Sequence, residues 1–308
     1  MLQLAGPSFV AQGLLAKEKG FPPSWKDMDE LERLSDEWIE LLREERSRVA
    51  ALQGFFPRVD DALDRAVRTD ASEYMDDPDL PAKKRVRQVR LLHLMNRMLQ
   101  SYRLFLWHLV PLAREIAARE GRPARFLELA CGSGELTLEL CRLAQKRGLP
   151  LAITGSDYMR DNVEAACREA EKRNIPARFI VANAFAMDDV ERGAYDVVFI
   201  SQAAHHFTPG QVAKMIAQAR SLGARAFVSI DGHRGLSTLF ALGVFSGLTL
   251  RPRYIHDAVV SGRKLYSESE LAALAEIAAP GAGILVRRSL PSHTVLLVRF
   301  DLGREQRD

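Results

Sequence analysis

Residues 126–134 read Phe126-Leu-Glu-Leu-Ala-Cys-Gly-Ser-Gly134, an apolar run broken by a glycine-rich turn, and Glu135-Leu-Thr-Leu-Glu-Leu-Cys141 follows at helical spacing. A strand, a tight turn and a helix in that order point to a parallel α/β sheet. Gly132 and Gly134 carry no side chain, so the backbone can turn sharply and lie against a ligand, with the N–H groups of the following helix start aimed at it. Dinucleotide-binding proteins use the same turn. Two departures argue against that class: Glu128 sits inside the strand where apolar residues are expected, and Thr137 occupies the place of the third glycine.

The next apolar run, Leu151-Ala-Ile-Thr-Gly-Ser-Asp157, ends in a carboxylate roughly 25 residues beyond Gly132, where an α/β nucleotide site places its ribose-binding acid. Tyr158 and Met159 follow, offering apolar surface for an adenine face. A third run over 177–182 leads into Asn183-Ala184-Phe185, and a fourth, Tyr195 to Ser201, leads into Gln202-Ala-Ala-His205-His206-Phe207.

Taken together these segments resemble motifs I to IV of the class I S-adenosylmethionine-dependent methyltransferases, with Ala130 in place of the usual first glycine and Asn183 in place of the usual acid. The Asn183 carbonyl oxygen still accepts a hydrogen bond from an adenine amino group. The resemblance extends upstream: Met95-Asn96, Ser101 and Trp107 are similar to a helix preceding the core of ubiquinone/menaquinone C-methyltransferases and related bacterial small-molecule methyltransferases, as is the Asp-Asp-Pro-rich approach at 75–80. It implies an α/β fold, a Rossmann-like seven-stranded methyltransferase sheet closed by a terminal hairpin over 283–300, and S-adenosylmethionine as cofactor. The residues it implies for cofactor binding are Glu128, Ala130, Cys131, Gly132, Gly134, Asp157, Tyr158, Met159, Asn183, Ala184, Phe185 and Ser201. Asn96, Tyr102 and Arg103 are further candidates for the cofactor's amino-acid end. Met95, Met98, Leu99 and Trp107 are expected in the core.

With 308 residues the chain exceeds one typical domain. A helical N-terminal cap is expected over 1–120, and a core over 121–308 with a lid insertion near 235–265. Ser24 is expected to cap the second helix, Val59–Arg68 to be helical, and a long helix to run from about Ala82 to Arg119 with a bend near Pro111. A homodimer through the N-terminal helices is one open arrangement. The formal charge of +3 is too small to argue for nucleic acid, and Cys131, Cys141 and Cys167 lack metal spacing, so reduced thiols in a cytoplasm are expected. No run is long and apolar enough for stable membrane insertion. The basic run from Lys83 to Arg90 reads as a solvated helix face.

His206, and after it His205, is the candidate general base, because imidazole titrates where a substrate proton must be taken. No metal is expected, since adjacent side chains point apart and no third ligand stands at useful spacing. Arg251, Arg253, Arg263 and Lys264 flank the lid, where they either hold a substrate anion or sit in an exposed linker. The reading implied is methyl transfer to a mostly apolar small-molecule acceptor of quinone or natural-product type, at carbon or oxygen. A cyclase or isomerase on the same cofactor frame, or a non-catalytic cofactor-binding module, remains open.

Overall fold

The computed structural model describes residues 2–74, 91–247 and 249–300. The 75–80 approach and the basic run at 83–90 lie outside the described residues. The helices are α1 (Ala5–Lys19), α2 (Met28–Leu52), α3 (Phe55–Val67), α4 (Ser101–Glu120), α5 (Glu135–Arg147), α6 (Arg160–Arg173), α7 (Pro209–Ser221), α8 (Leu236–Gly247), α9 (Pro252–Lys264) and α10 (Glu268–Ala278), with a further helical run over 91–98. The strands are β1 (Ala124–Leu129), β2 (Leu151–Asp157), β3 (Arg178–Val181), β4 (Val197–Ser201), β5 (Ala226–Gly232), β6 (Gly283–Ser289) and β7 (His293–Arg299). They form one seven-stranded sheet in the order β3-β2-β1-β4-β5-β7-β6. β1 to β5 pair in parallel, and β6 and β7 form the expected antiparallel hairpin.

Two compact units divide the chain discontinuously. One comprises Met1–Leu80, Gln202–Ala217 and Asp231–Asp308, and the other Pro81–Ser201 and Gln218–Ile230. Helix α4 is grouped with the parallel strands in the second unit. In that second unit β1 lies between β2 and β4, so the chain reverses its direction of progress across the sheet there, the place where such sheets bind ligands beyond their carboxyl ends. Every residue of β4 is buried, as a central parallel strand covered on both faces requires. Phe126 and Phe199 meet edge to face, ring centroids 6.2 Å apart, on adjacent strands. Burying each such ring stabilises the sheet by about 1.5–3 kcal/mol.

In the first unit the charges decide the packing. Arg46, Asp64, Arg234 and Glu270 are each at most 1% exposed. Asp64 accepts from Arg46 at 2.8 Å, Arg68 at 3.0 Å and Arg234 at 2.6 Å, and Glu270 from Arg43 at 2.7 Å and Arg68 at 2.8 Å. Arg234 also donates to the carbonyls of Arg263 and Leu265. This network ties α2 and α3 to the start of α10 and to the segment after β5. Burial alone would raise the pKa of both carboxyls, but the surrounding guanidinium groups hold them below the ordinary range.

Several local expectations are corrected. Asp27, not Ser24, caps α2, accepting from the N–H groups of Asp29 and Glu30. The third helix starts at Phe55 rather than Val59. The helical pattern approaching β1 breaks at Gln100, whose φ is +58°, while Pro111 sits inside α4. Met98 is 68% exposed, Leu99 44% and Trp107 62%, so these three are not core residues. Thr208 with Gln211 and Ser267 with Glu270 form the capping arrangements at the starts of α7 and α10.

Candidate active site

The turn after β1 takes its shape from three left-handed residues. Ala130 has φ +51°, Gly132 +55° and Gly134 +72°. The two glycines serve different ends. A Cβ on Gly134 would stand 2.6 Å from Ala166 Cβ and from the Phe179 ring, so this glycine lets α5 press against α6 and β3. A Cβ on Gly132 would meet nothing within 4 Å, which leaves a cradle beside the backbone. Glu128, 2% exposed, accepts a hydrogen bond from Thr137 on α5. Burial pushes its pKa up to about 8, partly offset by the Thr137 and Ser201 hydroxyls, so the carboxyl is protonated at neutral pH. It pins the strand end to the helix start, as an orienter would. Cys131 is no nucleophile, since burial drives its thiol well above the ordinary range.

Asp157, at the end of β2, holds two stretches of backbone together. Its Oδ2 accepts from the Gly132 N–H at 2.8 Å, and its Oδ1 accepts from the Met159 N–H at 2.9 Å and the Asn162 amide at 3.1 Å. A carboxylate oxygen offers two lone pairs, so Oδ2 keeps one acceptor position for a further donor. Tyr158 and Met159 are 71% and 47% exposed, which leaves an aromatic face and a thioether open to contact. After β3, the Asn183 Oδ1 accepts from the Phe185 N–H at 3.2 Å and keeps its second lone pair. Ala184 is buried. Gln218, unforeseen from the sequence, clamps this loop by donating to the Phe185 carbonyl at 2.7 Å and accepting from the Met187 N–H at 2.5 Å. Ser201 is buried at the end of β4.

Tyr102, 3% exposed, shares a 2.6 Å hydrogen bond with His93 Nδ1, and His93 Nε2 lies 3.0 Å from Ser133 Oγ in the glycine turn. Burial lowers the His93 pKa to about 4, so this imidazole is neutral and bridges α4 to the turn. Neither His93 nor Ser133 was singled out by sequence, because a lone histidine and a loop serine carry no spacing signal. Arg103 is exposed and donates to Gln100 at 2.9 Å, so it is not gathered with Tyr102.

The histidine pair lies in the first unit, on a 3-10 turn over Ala204–His206. The Asp231 carboxylate, near the end of β5, accepts from the His205 backbone N–H at 3.0 Å and lies 2.9 and 3.0 Å from Nδ1. Burial would raise the Asp231 pKa, but His205 outweighs it and the net shift is downward. The rings of His205 and His206 do not point apart: their centroids are 4.4 Å apart, tilted by 33°. Glu73 supplies the third ligand-type group that sequence spacing lacked, with Oε1 3.8 Å from His205 Nε2 and from His206 Nδ1. Tertiary packing thus brings together positions more than 130 residues apart, which spacing along the chain does not reveal. Of the lid cations, Arg263 donates to the Val67 carbonyl at 2.6 Å and Arg253 lies over the Tyr74 ring, so both have structural partners.

A parallel sheet with its reversal at β1, an antiparallel terminal hairpin and this glycine turn together make a fold shared with solved methyltransferase structures. Residues 126–224 match the family model described as a methyltransferase domain. Over 90 residues the chain is 34% identical to a demethylmenaquinone methyltransferase of Thermus thermophilus, covering 29% of this chain and 39% of the relative's length. The fold is similar to that of the plantazolicin methyltransferase BamL, solved with a triazolic desmethylPZN analog and SAH (TM-score 0.53, 14% identity, 78% of this chain and 97% of that one). It is also similar to the plantazolicin methyltransferase BpumL solved with SAH (TM-score 0.53, 14% identity, 77% and 95%).

Proposed function

We propose that the chain transfers the methyl group of S-adenosylmethionine to a mostly apolar small molecule, at carbon or oxygen, of quinone or natural-product type. The observation that carries the reading is the pairing of the Asp157 carboxylate with the Gly132 N–H, which sets a remaining acceptor lone pair beside the open face of Gly132. Asp157 would take the ribose hydroxyls, Tyr158 and Met159 the adenine face, and Asn183 with Ala184 and Phe185 the adenine edge. The Tyr102–His93–Ser133 chain would fix the turn near the amino-acid end, and Arg103 could join only by leaving Gln100. When bound, S-adenosylmethionine supplies an electrophilic methyl on sulfur. The protein's part is to hold donor and acceptor in line in a dry pocket, which is worth several kcal/mol of barrier.

The His205–His206 pair, four and five residues beyond β4, serves proton removal from the acceptor, with Asp231 orienting His205. The helix pair α8–α9 supports the lid reading: a Cβ on Gly262 would stand 2.8 Å from Leu239 and Leu242, so the two helices pack closely, while Phe240 is 75% exposed. Three free thiols support a cytoplasmic location, and the small net charge favours a small-molecule partner over nucleic acid. No helix among the described residues is long and apolar enough to cross a membrane. Phe9, Leu14, Phe55 and Phe56, exposed by 45 to 82% on α1 and α3, support a homodimer through the N-terminal helices.

Incubation with methyl-labelled cofactor and a panel of phenols, quinols and azole-containing peptides tests the activity. Label in the acceptor is expected. Product change without label would favour the isomerase class, and cofactor binding without any turnover a binding module.

A further inference from the structure

We propose that Glu73, His205 and His206 bind a divalent transition-metal ion of the kind imidazole favours, such as Zn²⁺. Their ligand atoms all lie within 4.8 Å of one another, and Glu73 Oε1 is 3.8 Å from one nitrogen of each histidine. Bonds of 2.0–2.1 Å to a tetrahedral zinc set ligand atoms about 3.3 Å apart, so a small inward movement of three side chains closes the site.

Two independent features show that the site is built rather than accidental. First, His205 Nε2 is buried, with the side chain 7% exposed, and has no hydrogen-bond partner. A buried nitrogen without a partner destabilises the fold, and a metal removes that cost. Second, Asp231 fixes which nitrogen is free. An ionised carboxylate only accepts, so Asp231 holds a proton on Nδ1, 2.9 Å away, and Nε2 is the nitrogen left facing Glu73. A carboxylate behind a metal-binding imidazole is the arrangement that sets ring orientation and raises ligand basicity.

A plain ion pair explains the geometry less well. Glu73 is 3% exposed and accepts from Ser261 Oγ at 2.8 Å, but 3.8 Å to each imidazole is beyond hydrogen-bond length. A buried carboxylate so placed calls for a cation at the centre of the group. Two imidazoles and one carboxylate leave coordination positions open. On the methyl-transfer reading, an acceptor oxygen, hydroxyl or carbonyl, would take one of them. The acceptor class is then an apolar molecule with an oxygen donor at the methylated end, and the same ion would ease loss of its proton.

The test uses the full chain, stripped with a chelator and titrated with Co²⁺, whose visible absorption reports imidazole coordination, and with Zn²⁺ in a calorimeter. One equivalent is expected to bind, and Glu73→Gln and His205→Ala should each weaken it at least tenfold. S-adenosylhomocysteine affinity, measured on the same stripped protein and on both variants, should be unchanged. Absence of Co²⁺ absorption in the wild-type chain, or equal affinity in wild type and both variants, overturns the site. Because the wild-type titration stands alone, a variant that does not fold leaves the outcome decisive. Loss of homocysteine-analogue binding in the wild type would count against the cofactor reading instead.

Discussion

The carboxyl groups of Glu128 and Asp157 end neighbouring strands yet have opposite duties. Glu128 is held neutral by burial and points its hydrogen bond at Thr137, whereas Asp157 anchors two backbone N–H groups and keeps an acceptor position. Glu128 ionises at about 8 in the native chain against 4.5 ordinarily, so between these values the folded state binds the extra proton. Stability from this residue is full below 4.5 and falls as the pH rises toward 8. Glu128→Gln should flatten that part of the stability–pH profile, as chemical denaturation at pH 5 and pH 8 would reveal; an unchanged slope would place the titration elsewhere. His205→Ala is expected to lower turnover about a hundredfold or more while cofactor affinity holds, whether the imidazole takes the acceptor's proton itself or holds the ion that eases its loss. Near-normal turnover in both His205→Ala and His206→Ala would make the pair scaffolding.

At the scale of elements, Gly134 belongs to packing and Gly132 to the ligand side, a distinction invisible in the motif. Gly134→Ala forces a Cβ against Ala166 and Phe179 at φ +72°, and a loss of about 1–3 kcal/mol is expected in urea denaturation. Gly132→Ala meets open space and should cost less stability than Gly134→Ala while weakening cofactor binding more. The parallel strands were legible because buried runs end in turn residues, and α7 because Thr208-Pro209 and Gln211 write a cap into the sequence. What local pattern misplaced were breaks chosen by tertiary context: Asp27 over Ser24 as cap, and Gln100 rather than Pro111 as the interruption. Trp107 and Met98 obey helical spacing but lie on an exposed face, since periodicity alone does not say which stripe is covered. The candidate cofactor residues could be named from the sequence because they follow strand ends. Glu73, Asp231 and His93 could not, because the histidines or tyrosine they face lie 9 to 133 positions away along the chain.

For the whole molecule, stability on the first unit rests on charges that no sequence pattern announced. Asp64 and Glu270 keep their carboxyls ionised below the ordinary range, so their contribution is full above about 4 and is lost as the pH falls from there through their lowered native values. Glu270→Ala, which takes the carboxylate from Arg43 and leaves Arg68 with Asp64 alone, should cost about 3–5 kcal/mol. A shift of the unfolding midpoint in guanidinium checks this; a change under 1 kcal/mol would mean water replaces the carboxylate freely. The central claim, that the strand-end crevice of the second unit binds S-adenosylmethionine through Asp157, is tested most directly by calorimetric titration of S-adenosylhomocysteine into wild type and Asp157→Ala. The wild type should bind, and the variant, still folded, should bind more weakly by roughly 1.5–3 kcal/mol. Equal affinity in the two, or no binding by the wild type, would contradict it.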